Sequence, residues 1–262
     1  MIRRRSVPAC VFLLVLAFSL NPLRVAAQEG DEFLQGPDGG AKLAERMRSL
    51  QPEENAKWRG TFKILHRQQK FPPIPVSCET TSTPTSWSVV YAADATSASG
   101  AEKLAVLHST NGPNQYIYAR ASSPGGSLGE PQQLAGAAAD VPLAGSDFWL
   151  SDLGFEFYHW PQQRLLKGDM RSGKPCYVLE SVNPSPSAAG YGRVVSWIEK
   201  EHVAPLIIEA YRADNTNKLF KEFALGSFKK DKATGRYELK SLQIDNDRTG
   251  STTLLEFDLE TK

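Results

Sequence analysis

The chain has 262 residues, 30 basic and 29 acidic side chains and a formal net charge of +1. Both signs are mixed along its length with no basic stripe, which argues against nucleic acid as a partner. With 41% hydrophobic and 10% aromatic residues the chain can build a sizeable core, and its length suits one large β domain or two small ones.

The N-terminus reads as an address. Arg3, Arg4 and Arg5 precede an apolar run at 10–20 that is too short to span a bilayer, and Val25-Ala26-Ala27 offers small residues for cleavage. Residues 1–27 are therefore expected to be a cleavable export signal, so the mature chain is expected to be exported and soluble. Cys10 lies before the apolar run, so a lipid anchor is not expected. Cleavage removes four of the 30 basic residues and no acid, leaving 26 against 29, a net charge of −3. Two cysteines remain, Cys78 and Cys176. They read either as a structural disulfide in an oxidising compartment or as two small buried residues.

Residues 28–40 are Gly-rich and acidic and read as a flexible leader, and 41–262 as a single β domain. Leu43, Met47 and Leu50 fall on one face of a short helix that Pro52 limits. From Trp58 the period changes to two. Strands are expected at 58–68, with Phe62 and Ile64 on one side, and at 86–92, 103–109 and 115–121. Asn111-Gly112-Pro113 turns the third of these into the fourth, and the Gly/Ala/Ser/Pro-rich stretch 122–141 reads as a surface loop. Six more strands follow at 174–182, 193–201, 204–212, 218–225, 236–244 and 251–260. Polar turns at 202–203, 213–217, 231–235 and 245–250 join the last five. Connections this short require antiparallel neighbours. In the last strand Thr253, Leu255, Phe257 and Leu259 share a face, with Glu256 and Asp258 on the other. The fold class is mainly β: a long antiparallel meander, curled into a curved sheet or unclosed barrel and covered by a few helices.

No catalytic motif emerges, and neither an enzyme nor a cofactor is expected. His66, His108, His159 and His202 are scattered singly, with no metal-binding spacing. Ser146-Asp147 lacks a base nearby in sequence except His159. It reads better as a helix start, Ser146 as the N-cap and Asp147 in the first turn. Asp245, Asp247, Gly250 and Glu256 match a calcium-loop template, but the flanks are β-periodic and favour a hairpin turn.

Three stretches then carry a resemblance: LAGSDFWLSDL (143–153), YGRVVSWIEKEHVAPLIIEAYRADNTNKLFKEF (191–223) and LKSLQIDNDRTGSTTLLEFD (239–258). Their order and spacing resemble the outer-membrane lipoprotein-sorting protein family, in its LolA-like, mostly uncharacterised branch. The resemblance covers residues 58–262. It implies an unclosed β-barrel whose open side is closed by helices, and a periplasmic carrier that shelters acyl chains of a lipoprotein or lipid. It also implies an inner-membrane export complex as donor and an outer-membrane acceptor. On this reading the helix at 41–50 and the segment 146–154 are lid elements. Phe148, Trp149, Phe155 and Phe157, with Trp197, Leu255 and Phe257 on strands, line an apolar cavity or serve as core. The alternative within the same fold is a periplasmic sensor or interaction protein with a protein partner.

Overall fold

The computed structural model describes residues 34, 36–52, 55–96, 100–109, 112–226, 228–230 and 237–258. The expected export signal, most of the leader, Asn111 and Leu259 lie outside the described residues. Helix α1 (Gly39–Arg48) comes first, followed by β1 (Ala56–His66), β2 (Gln69–Lys70), β3 (Ile74–Ser82), β4 (Ser86–Ala93), β5 (Glu102–Ser109), β6 (Gln115–Arg120) and β7 (Gln132–Leu134). The short helix α2 (Leu150–Leu153) is flanked by 3-10 turns at Gly136–Ala139 and Glu156–His159. Then come β8 (Gln162–Arg171), β9 (Lys174–Val182), β10 (Tyr191–Glu199), β11 (Ala204–Arg212), β12 (Leu219–Leu225), β13 (Phe228–Lys230), β14 (Tyr237–Leu239), β15 (Ser241–Asn246) and β16 (Ser251–Phe257).

One 14-stranded sheet runs in the order β7-β6-β5-β4-β3-β1-β16-β15-β12-β11-β10-β9-β8, with β2 folded back on β1 and β13–β14 forming a separate hairpin. The ladders are antiparallel, as the short connections require. Pairing of β1 with β16 joins the two halves of the meander, with Phe62 opposite Leu255. Alternation sets which face is buried. Phe62, Thr253, Leu255 and Phe257 are buried, while Glu256 lies on the other face and pairs with Lys63. The stretch that matches the calcium-loop template is the turn between β15 and β16, closed by Asn246 opposite Ser251, with Gly250 left-handed at φ +68°.

Strand β7 lies inside the stretch 122–141 expected to be a loop, where three residues paired to β6 are too few to show a pattern. Strands β3 and β8 are not legible in the sequence for two reasons. In β3, Pro75 breaks the pattern and the inward phase after Val76 is carried by Cys78 and Thr80, which are not strongly apolar. Strand β8 is an edge and largely exposed, so alternation is faint. Helix α1 spans the expected stretch two residues early and packs Leu43, Ala44 and Met47 inward against β8, β9 and the 156–159 turn. Leu34, inside the expected leader, is buried with them. The helix expected to start at Ser146 starts instead at Leu150, with Trp149 as N-cap. The Asp152 carboxylate accepts from the Trp149 N–H at 2.9 Å and takes over the capping role. Among the described residues Cys78 and Cys176 are free thiols, both buried. They stand on β3 and β9, seven positions apart across the sheet, so the disulfide alternative is not formed.

Candidate functional site

The interior of the curled sheet is occupied by the segment 142–160. It enters as a tight hairpin in which Pro142 bridges Trp149 and the Leu143 N–H bonds the Phe148 carbonyl at 2.8 Å. Ala144 and Gly145 are the central residues of the turn that the Ser146 N–H closes onto the Leu143 carbonyl at 3.0 Å, and both have positive φ, +52° and +69°, as a type I′ turn requires. Phe148 is 1% exposed and its ring centre lies 5.5 Å from that of Phe62. Phe157 and Tyr158 are also buried, in edge contact at 4.6 Å.

Polar side chains from the strands hold this segment by its backbone. Glu102 on β5 accepts from the Ala144 N–H at 2.8 Å and from the Tyr118 hydroxyl at 2.7 Å. Asn114 donates to the Gly154 carbonyl at 2.7 Å, and Tyr116 donates to Glu156 at 2.8 Å. A side chain at Gly154 would strike Tyr116, its Cβ falling 2.3 Å from the hydroxyl. That close approach accounts for the glycine after Asp152-Leu153. Gln163 on β8 donates to the carbonyls of Phe157 and Trp160, and Arg48 on α1 to that of Tyr158.

The centre of this network is a fully buried ion pair. Lys221 Nζ lies 3.0 Å from Asp152 Oδ2, donates to the Asp147 carbonyl at 2.8 Å and sits 3.7 Å above the Trp149 ring. Tyr191 donates to Asp152 at 2.9 Å and stacks on Trp149. Burial lowers the Lys221 ammonium and raises the Asp152 carboxyl, each toward its neutral form, while their mutual attraction opposes both shifts. Burial also pushes Asp140 up to about 6, against the hydroxyl it accepts from Ser151 at 2.7 Å. The Asp147 carboxylate accepts from Asn246 at 2.9 Å, Ser251 at 2.6 Å and Thr253 at 2.8 Å. Ser146 is 3% exposed and its hydroxyl accepts from the Phe148 N–H at 3.2 Å; no histidine bonds it among the described residues. Ser146 and Asp147 anchor the segment.

Where the tip of the segment meets the β15–β16 turn, the packing leaves a pocket of about 530 Å³, open to solvent. Its walls are Ile64, Phe71, Ile74, Trp149 and Phe220, and its polar edge includes His66, Asn246 and Arg248. The volume lies within the range of small-molecule sites, roughly 300–1,000 Å³.

The residues expected to line a cavity divide as follows. Trp149 lines the pocket. Phe148, Phe157, Leu255 and Phe257 belong to the packed interior, and Phe155 packs partly exposed against it. Phe155 is held left-handed at φ +48°, uncommon for a bulky residue. Trp197 faces the other way. Ser196 and Ile198 are fully buried, and alternation turns Trp197 to the outer face, with the Arg171 guanidinium 4.6 Å over its ring.

The sequence reading passed over Lys221, Asp152 and Tyr191 as functional residues. Lys221 shares a strand face with Phe223 and Leu225, and an ammonium in phase with an apolar row was the available signal. Among the described residues Glu199, Glu201 and His202 bring possible metal ligands within 4.8 Å of one another. Glu199 is nevertheless engaged, accepting from the Glu201 and His202 N–H groups and bonding the His202 ring at 2.8 Å, and this closes the β10–β11 turn.

The open antiparallel sheet with few helices is a LolA-like fold, shared with several solved structures. A putative outer-membrane lipoprotein-sorting protein domain from Vibrio parahaemolyticus superposes with a TM-score of 0.65 at 18% identity, over 85% of this chain and 91% of that one. A DUF1329 family protein from Desulfovibrio piger gives 0.66 at 15% identity, over 86% and 92%. A LolA superfamily protein from Nitrosomonas europaea gives 0.55 at 14%, over 86% and 93%. No protein of curated function matches the sequence. The model of a family described as "Uncharacterized protein" matches residues 85–260, and the chain belongs to that family.

Proposed function

We propose that this chain is a periplasmic carrier that shelters an acyl chain of a lipid or lipoprotein on its way to the outer membrane, and that it is not an enzyme. The observation that carries the reading is the open pocket of about 530 Å³, walled by Ile64, Phe71, Ile74, Trp149 and Phe220 at the mouth of a LolA-like barrel. Each methylene moved from water to such a wall is worth about 0.8 kcal/mol, so partial shelter of one chain is already substantial. Release requires that the cover be able to move. Segment 142–160, whose tip lines the pocket, is the covering element; strand side chains hold it by hydrogen bonds, and α1 bonds its far end through Arg48. An export complex in the inner membrane and an acceptor at the outer membrane are the partners this role needs.

Native mass spectrometry of the mature protein, purified without detergent, with lipid extraction of the same sample, tests the reading. Near-stoichiometric acyl chains or a lipidated peptide support it. An empty protein that also takes up no fluorescent fatty acid overturns it. A second reading, a sensor of the same fold that binds a protein partner, draws on the interior being largely filled by the chain's own rings, Phe148 and Phe157 above all. It becomes the stronger one if the protein proves empty.

A further inference from the structure

The pocket is chemically two-ended. Its walls are apolar, but Arg248, in the turn between β15 and β16, stands exposed at its edge. The guanidinium makes one long hydrogen bond, to the Ala189 carbonyl at 3.4 Å, and lies 5.5 Å from the Phe220 ring. A guanidinium carries five N–H donors, so most of its capacity is open, and no carboxylate lies within ion-pair distance of it among the described residues. Asp214 lies close enough to feel its charge, but Arg212 holds that carboxylate in an ion pair. Asp247 is its exposed neighbour in the turn. The carboxylate of Asp147, on the same wall, is buried and engaged by Asn246, Ser251 and Thr253.

Size narrows the occupant. A methylene takes roughly the share of liquid volume of a water, about 30 Å³, so 530 Å³ is room for about one long acyl chain. We propose that the pocket takes a single-chain amphiphile with an anionic head, its tail on Ile64, Ile74, Trp149 and Phe220 and its carboxylate or phosphate on Arg248. This rests on the carrier reading and deepens it. An anionic oxygen pair matches the planar fork of an arginine, whereas a neutral or esterified head leaves the fork unmatched.

The test measures binding of a dansylated fatty acid and of its methyl ester to the wild-type chain and to Arg248→Gln, with thermal melts to verify that the exposed substitution leaves the fold intact. The acid is expected to weaken about tenfold in the variant and the ester by less than about twofold. Competition by palmitate against a lysophosphatidylglycerol then distinguishes a carboxylate head from a phosphate. Equal affinity of acid and ester for the wild type, or an equal loss of both in the variant, overturns the head-group assignment and leaves the carrier reading standing. If neither probe binds the wild type, both fall.

Discussion

Lys221 and Asp152 are 0% and 1% exposed at the side chain, where breaking one half of an ion pair is far costlier than replacing both. Lys221→Met leaves a buried carboxylate unpaired and is expected to cost about 3–5 kcal/mol in urea unfolding. Lys221→Met with Asp152→Leu should recover much of that loss, and a double-mutant cycle reads the coupling. His108 behaves oppositely, as a neutral group. It stacks on Trp87 at 3.6 Å, and burial with His159 nearby pulls its pKa down to about 3. The unfolded chain therefore binds the proton first, so stability present above about pH 6.5 is lost progressively as the pH falls toward 3. His108→Phe keeps the stack and removes the titration. Wild type should lose stability relative to that variant by roughly 1.4 kcal/mol per pH unit at most across this window. Asp140, raised to about 6 by burial, acts with the other sign, gaining stability between pH 6 and its unfolded value. The paired comparison leaves Asp140 out because both proteins carry it. Ser146→Ala removes one 3.2 Å hydrogen bond and should cost about 1 kcal/mol without altering fatty-acid binding. A chemical activity lost in this variant with binding retained would instead make Ser146 a catalytic residue.

Helix α1 guards the barrel's exposed edge. A Cβ on Gly40 would fall 2.5 Å from the Gln163 carbonyl and 2.6 Å from the Leu165 nitrogen, both backbone atoms of β8. Only glycine lets the helix approach this closely. Gly40→Val should lift the start of α1 from β8, with faster limited proteolysis in 36–48 and a concentration-dependent shift to larger species in size-exclusion chromatography, since an uncovered edge strand pairs with other chains. The 142–160 segment follows another logic. Its helix is one turn long and is followed by a single 3-10 turn, so local propensity contributes little to its shape. Strand side chains at Glu102, Lys221 and Thr253, with Asn114 just before β6, define its path instead.

Across the whole molecule, the β1–β16 ladder joins the ends of the meander and the sheet stops at β7 and β8 without closing. Cys78 and Cys176 are far apart in that order and buried. Alkylation under native conditions should be slow, and denaturation without reductant should yield two adducts per mature chain, which lacks Cys10, by mass spectrometry. A single mass two units lower, refractory to alkylation, would mean that an S–S bond has formed.

Most strands were legible in the sequence because a half-buried antiparallel strand alternates residue by residue. Leu255 and Phe257 against Glu256 show that signal, and short turns such as 247–250 leave an antiparallel neighbour as the one outcome. Helix α1 was legible from Leu43 and Met47. Edge strand β8 was not, because a strand that buries little needs little pattern, nor was β3, whose inward positions include Cys78 and Thr80. The aromatic stretch could be seen as unusual, but its role could not. Whether Phe148 faces a ligand or Phe62 depends on a strand nearly ninety residues earlier in the chain, and Trp197 is turned outward by its phase in β10. The pairing of Lys221 with Asp152, and the turn that sets Arg248 beside Phe220, likewise bring together groups from different elements. Periodicity is a local property that single strands carry. What fills a barrel, and what is left open at its mouth, is decided where the strands meet.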